Sequence, residues 1–263
     1  MKMIKIALIC FCFLVLVTGI ILITLHKKEK TKNTFSDNKI AYLTFDDGPS
    51  EYTEDLLDIL KERNVPAIFF VVGRHIEEIG NSHDILKRVY AENHHIGLHS
   101  ITHNRENLYS KTNSPKIFIN EMKELQNQLD KILNGYKTAL LRAPFGSHKF
   151  SKQHWKALKK AKFYHLDWNI ESRDWELQSA DEIYEQVVNS VESMQFPQTL
   201  VLVFHEYQRT VDILPSVIDY FHENGYTFVP YVAGEKIDVG QKEPPSWIRS
   251  KAYSVKKKIQ RIL

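Results

Sequence analysis

Cysteine is nearly absent. Only Cys10 and Cys12 occur, and both lie inside one N-terminal apolar run. The rest of the chain therefore has no disulfide and no thiolate metal site, so a transition metal would have to be held by His, Asp or Glu. Glycine (10) and proline (9) are too scarce for collagen-like or low-complexity sequence. A net positive charge is confined to the two ends of the chain. Residues 1–37 carry +4 and residues 236–263 carry +6, which leaves −7 for 38–235 out of a total of +3. An acidic middle offers no broad electrostatic basis for binding nucleic acid. Two basic ends suit an anionic surface instead, lipid or wall polymer, and nothing in the sequence points to a protein partner.

What is present reads as a folded protein, with 43% hydrophobic and 25% charged residues. The roughly 230 residues beyond the apolar run suffice for one large α/β domain with a sizeable core. The run itself, Ile6 to Leu25, holds 20 residues without a charge. As a helix it would span roughly 30 Å, the thickness of a bilayer core. Lys2 and Lys5 precede it and His26, Lys27, Lys28, Lys30 and Lys32 follow, so flanking charge does not set its orientation. The run is long for a cleaved signal peptide, and no small-x-small site stands near Leu25. The expectation is an uncleaved signal-anchor over 1–26, a polar linker over 27–37 and a single-pass cell-membrane protein with its domain outside; a cleaved and secreted form is the alternative. At the other end, 236–263, Ile248, Ala252, Val255, Ile259 and Ile262 share one helical face among basic residues. That tail would close on the domain, lie on an anionic surface or stay disordered.

Between the ends, apolar runs of strand length fall at 39–45, 67–72, 95–98, 138–142, 164–170, 200–204 and 227–230. Stretches of helical period lie between most of them, at 53–63, 83–92, 115–134, 151–161, 180–193 and 212–223. Thr53, Ser82, Ser114, Ser151 and Ser179 stand at candidate N-caps, and Gly135 and Gly225 just after helices. Alternation of this kind predicts parallel strands joined by right-handed crossovers. Seven units in this length favour an irregular seven-stranded (β/α) barrel over a flat open sheet. Either architecture places function at the C-terminal ends of the strands.

Chemistry-bearing residues stand at those ends. The first strand runs into Asp46-Asp47-Gly48-Pro49. Neighbouring strand side chains point opposite ways, so both carboxylates face one site only if the backbone bends there; a solvated turn is the alternative. The third strand ends in His99-Ser100-Ile101-Thr102-His103, whose imidazoles would converge on a metal if the turn between them were helical. In a chain with 12 histidines that spacing means little alone. Arg142 ends the fourth strand, where it would orient a carboxylate or form an ordinary ion pair. Asp174-Trp175 follow the fifth, and His205 ends the sixth as either an acid–base group or a structural histidine.

Together and in this order the segments resemble the motifs of the polysaccharide deacetylases with the NodB homology domain, carbohydrate esterase family 4. The family's TFDDGP, HSxTH, RxPYG, DxxDW and LxH read here TFDDGP (44–49), HSITH (99–103), RAPFG (142–146), ESRDW (171–175) and VFH (203–205). The resemblance covers about residues 38–235. Phe145 replaces a Tyr, Glu171 an Asp and Val203 a Leu.

The resemblance implies one divalent metal, Zn²⁺ before Co²⁺ or Ni²⁺, on Asp47, His99 and His103. It implies Asp46 as general base, oriented by Arg142, and His205 as general acid, oriented by Asp174. Phe145 would offer a backbone N–H to the oxyanion, and Trp175 and Val203 would wall the acetyl pocket. Ser100 and Thr102 would support the ligands. The implied activity is hydrolytic N-deacetylation of N-acetylglucosamine in a surface polysaccharide, peptidoglycan first. Chitin oligomers, an exopolysaccharide or O-acetylated xylan are the alternatives. A non-catalytic glycan-binding module would need eroded base, ligand or acid positions, and none is eroded. A metallophosphoesterase would call for a second metal, for which the sequence offers no residues.

Overall fold

The computed structural model describes residues 39–237 and Val239. The expected anchor (1–26) and linker (27–37), and all of the expected tail except 236, 237 and 239, lie outside the described residues. Among those described, no helix is long and apolar enough to cross a membrane.

The elements run β1 (Lys39–Gly48), α1 (Thr53–Arg63), β2 (Ala67–Val71), α2 (Gly73–Glu78), α3 (Ser82–Ala91), β3 (His95–Leu98), α4 (Ser114–Ile132) and β4 (Leu140–Leu141). They continue as α5 (Lys152–Ala161), β5 (Tyr164–His165), β6 (Ile170–Glu171), α6 (Ala180–Ser193), β7 (Thr199–His205), α7 (Gln208–Glu223) and β8 (Tyr226–Phe228). The sheet order is β5-β4-β3-β2-β1-β7-β6, with β8 also paired to β1. Every pairing along the β5-to-β6 path is parallel. The expected strand at 164–170 appears as two short ones, β5 and β6, so the seven expected runs become eight strands.

Those two halves explain the irregularity of the barrel. The N–H groups of Tyr164 and Leu166 donate to Ala139 and Leu141, while those of Asn169 and Ser172 donate to Val201 and Val203. One extended segment thus leaves the β4 edge and joins the β7 edge, and the curled parallel sheet is of the (β/α) barrel type.

A period of two along the strands sorts the core. Ala41, Leu43 and Phe45, with Phe69, Leu98, Leu141, Ile170, Leu202 and Phe204, pack against helix residues such as Leu56, Phe118, Val187 and Val217. Tyr42, Ile68, Phe70, Leu140, Leu166 and Val201 form a second cluster that contains no helix residue. That second face is the interior of the curl, and Asp46, His99, Arg142 and His205 continue it at the strand ends. Gly97 belongs to the same face. A Cβ there would stand 2.5 Å from the Phe70 ring, so only glycine lets that ring lie across the interior.

The helix starts correct part of the sequence reading. Ser151 and Ser179 are N-caps, each in a full capping box. At the other three starts the caps are Tyr52, Asn81 and Asn113, without side-chain capping bonds. Thr53, Ser82 and Ser114 are instead the first helical residues and are buried. Their hydroxyls find tertiary partners; that of Ser82, for example, donates to Ile76 O at 2.6 Å. Gly135 and Gly225 do follow helices with φ of 103° and 80°.

Candidate active site

Asp46 closes the inward face of β1 and pairs across the ladders with Phe70 on one side and His205 on the other. By alternation Asp47 would face the helices. It does not, because the ladder to β2 slips between Asp46 and Gly48 and Asp47 takes φ 68°. This bulge supplies the bend that a two-carboxylate site requires. Its conformation is held by tertiary contacts. His75 Nδ1 donates to Asp47 O at 2.7 Å. The buried carboxyl of Glu206 accepts from Ser50 N–H (3.0 Å), the Ser50 hydroxyl (2.8 Å) and the Thr53 hydroxyl. That carboxyl lies flat against Gly48, where a Cβ would overlap it. Burial pushes Glu206 up, and the hydroxyls of Thr53 and Ser50 only partly offset this, to about 7.

The two imidazoles converge, but not through a helical turn. Residues 100–103 form a bend in which Ser100 has φ 95° and His103 φ 49°. Ser100 Oγ accepts the His103 N–H at 2.9 Å and so closes the bend. His99 Nδ1 lies 2.9 Å from the carbonyl of Arg142 and donates to it, which leaves Nε2 as the ring's lone-pair nitrogen. That Nε2 is 3.4 Å from Asp47 Oδ1, and His103 Nε2 is 3.2 Å from the same oxygen. The three ligand atoms lie within 4.8 Å of one another.

Asp47 Oδ1 is buried and has no hydrogen-bond partner. A carboxylate oxygen facing an imidazole lone pair is unfavourable unless a cation lies between them, so the donor set fits a divalent metal. Burial would raise the Asp47 pKa, but His99, His103 and His205 outweigh it and hold the carboxyl low. Burial lowers His103 to about 4, against the pull of Asp47, and its ring is therefore neutral and free to coordinate.

Arg142 is wholly buried on the interior face. Its guanidinium lies over the Phe70 ring at 4.3 Å and near Trp168 at 5.5 Å. It donates to Asp46 Oδ1 (2.8 Å), Thr44 Oγ1 (2.6 Å), Leu166 O (3.0 Å) and Asp167 O (3.3 Å). The Arg–carboxylate contact was an open alternative in sequence; the structure makes it a bond to Asp46 inside the barrel. The other Asp46 oxygen lies 3.8 Å from His99 Nε2.

Asp174 is fully buried and accepts three bonds: from His205 Nδ1 (2.7 Å), from His205 N–H (2.6 Å) and from the Thr210 hydroxyl (2.9 Å). Burial would lower the His205 pKa, but the Asp174 bond and charge, with Asp47 and Asp46 beyond, raise it to about 9. The imidazole is therefore poised to carry a proton at neutral pH.

The remaining expected residues are placed less uniformly. Phe145 sits in a left-handed turn (φ 63°), 39% exposed, with its ring 4.5 Å from that of His103. Val203 is buried two residues before His205 on the same strand face. Trp175 is 52% exposed, and among the described residues no ring contact joins it to the ligand cluster. Sequence reading passed over Glu121 and Glu206, which hold the two ligand-bearing turns. The available signal was a carboxylate inside the apolar stripe of α4 and another directly after a core strand.

A sequence profile of the family described as polysaccharide deacetylase matches residues 33–166. A putative polysaccharide deacetylase of Bacillus subtilis is 36% identical over 208 residues, 78% of this chain and 71% of that protein. A peptidoglycan-N-acetylglucosamine deacetylase of Bacillus cereus is 32% identical over 213 residues, 80% of this chain and 75% of that one. Among solved structures, a Bacillus cereus polysaccharide deacetylase superimposes with a TM-score of 0.67 at 32% identity, covering 76% of this chain and 95% of the other. With the bulged Asp pair, the converging imidazoles and the His–Asp couple already in place, these likenesses settle the class: the chain belongs to the polysaccharide deacetylases of carbohydrate esterase family 4, and is a deacetylase hydrolase.

Proposed function

We propose that this protein removes acetyl groups from N-acetylglucosamine residues of peptidoglycan with the help of one divalent metal, Zn²⁺, on Asp47, His99 and His103. The observation that carries the reading is the buried, unpartnered Asp47 Oδ1 at 3.2–3.4 Å from two imidazole nitrogens, with Asp46 beside it. The peptidoglycan substrate is supported by the name of the Bacillus cereus relative.

A bound divalent cation would supply Lewis-acid polarisation and a water acidic enough to react near neutral pH. The chain's own groups supply the proton traffic and positioning. Asp46, oriented by the Arg142 guanidinium at 2.8 Å, accepts the proton of the attacking water. The Phe145 N–H, presented by its left-handed turn, donates to the developing oxyanion. His205 carries its proton on the ring and delivers it to the departing amine, while Asp174 fixes that ring through Nδ1. Val203, buried two residues before His205 on the same strand face, would flank the methyl group. Base and acid thus reach the reaction from the two paired strands β1 and β7.

Acetate release from peptidoglycan, chitin oligomers, an exopolysaccharide and acetylated xylan tests the reading, with chelator and zinc readdition as controls. Release from peptidoglycan that chelator stops and zinc restores is the expected result. Metal-independent release, or release from xylan alone, would overturn it. We also place the domain on the outer face of the cell membrane, tethered by residues 6–25. Protease treatment of intact cells, which should remove the domain, checks this.

A further inference from the structure

Glu121 is a carboxylate where α4 should be apolar. It shares the buried face of that helix with Phe118, Met122 and Leu125, and is itself buried. A buried carboxylate is costly unless hydrogen bonds satisfy it. All of the bonds it accepts come from one place. Its Oε2 accepts the N–H groups of Ile101 (3.0 Å) and Thr102 (2.9 Å), and its Oε1 lies 3.0 Å from the Thr102 hydroxyl, which donates to it. These residues are the middle of the bend between His99 and His103. The opposite side of the bend is held as well: Gly73 N–H donates to Ser100 O and Arg74 N–H to Ile101 O, both at 2.9 Å. Gly73 has no space for a Cβ against Ile101, so the bend sits directly on the start of α2.

The bend contains two left-handed non-glycine residues, Ser100 and His103, a conformation that a free chain seldom keeps. We propose that Glu121 is a positioning residue for the metal centre. By capping both inner N–H groups of the bend, it holds His99 and His103 at the separation at which both reach Asp47 Oδ1. The inference rests on the reading of Asp47, His99 and His103 as metal ligands. Glu121 touches neither metal nor substrate. It acts on the two imidazole ligands through the backbone that joins them, as groups behind metal ligands do.

The test uses the full-length protein freed of metal. Zinc affinity is measured by competition with a chromophoric chelator for the wild type, Glu121→Gln, Glu121→Ala and Thr102→Val, beside the thermal midpoint of each metal-free form. Glu121→Ala should bind zinc roughly 10–100-fold more weakly, as groups behind metal ligands do. Glu121→Gln should fall between, because an amide oxygen in the Oε2 position still accepts both N–H groups, though more weakly than a carboxylate, while its NH₂ meets the Thr102 hydroxyl. Thr102→Val, which keeps both N–H bonds, should weaken zinc least. At saturating zinc, turnover should return to within about threefold of wild type, since the reacting groups are untouched. A structural role alone would lower the metal-free midpoint and leave affinity unchanged. Zinc affinity within about twofold of wild type in Glu121→Ala, or in Glu121→Gln if the alanine variant does not fold, overturns the inference. A wild type that binds no zinc overturns the ligand reading together with it, so the two failures are distinguishable.

Discussion

Replacing Arg142 by Met keeps a long side chain against Phe70 but removes every charge and donor that organises the interior. The structure sets the magnitude. Asp46, 3% exposed, loses its 2.8 Å cation, and breaking a buried pair from one side costs about 3–5 kcal/mol. The carbonyls of Leu166 and Asp167 lose donors at 3.0 and 3.3 Å. A buried acceptor left unsatisfied costs roughly 1–3 kcal/mol, the lower end being apt for carbonyls with a second lone pair. The methionine thioether retains much of the packing on the ring. The expected loss is thus about 5–7 kcal/mol, a large share of an ordinary domain's ~5–15 kcal/mol. Adding Asp46→Asn separates the two parts. If the stranded charge dominates, the double variant should regain about 2–3 kcal/mol over Arg142→Met, a coupling far outside additivity. Urea unfolding followed by circular dichroism supplies all four corners of the cycle. A single-variant loss under about 1 kcal/mol, or additivity within about 0.5 kcal/mol, would refute the claim that a buried Asp46–Arg142 pair organises the site.

Other expectations follow from the same geometry. Asp46→Asn should abolish turnover yet retain zinc, whereas His99→Ala and His103→Ala should lose both; metal content measured beside rate decides. The His205 pKa near 9 exceeds its ordinary 6.5, so the folded state binds this proton more tightly than the unfolded one. Its contribution to stability is whole below about pH 6.5 and is lost as pH rises through about 9. In metal-free protein that decline should flatten in Asp174→Asn, and in the zinc-loaded enzyme the same substitution should move the alkaline limb of the rate profile to lower pH; an unmoved limb removes His205 as the acid. Phe145→Tyr should leave activity within about tenfold, a barrier change of roughly 1.4 kcal/mol, because the backbone N–H makes the proposed contact. Gly97→Ala drives a methyl into the Phe70 ring beneath Arg142, and should cost roughly 1–3 kcal/mol of stability with a fall in rate; wild-type values for both would show that the ring yields freely.

Most of the order of strands and helices is legible in the amino-acid sequence, because apolar period, run length and flanking caps together tell a strand from a helix; α2 and the break between β5 and β6 are not. The sequence also determined which residue types close each strand, and through five ordered motifs it determined the family. The backbone departures that make those residues a site were decided by tertiary structure. Asp47 turns back beside Asp46 only because β1 bulges where Glu206, Ser50 and His75 grip the following turn. His99 and His103 meet through a bend with two left-handed residues, not through a helical turn, because α2 and Glu121 hold the bend from opposite sides. Arg142 selects Asp46 because the curl of the sheet brings β4 across from β1. The single run at 164–170 splits into β5 and β6 for the same reason: it must serve two edges at once. Each of these outcomes depends on contacts between segments many tens of residues apart, and no local propensity encodes such a contact.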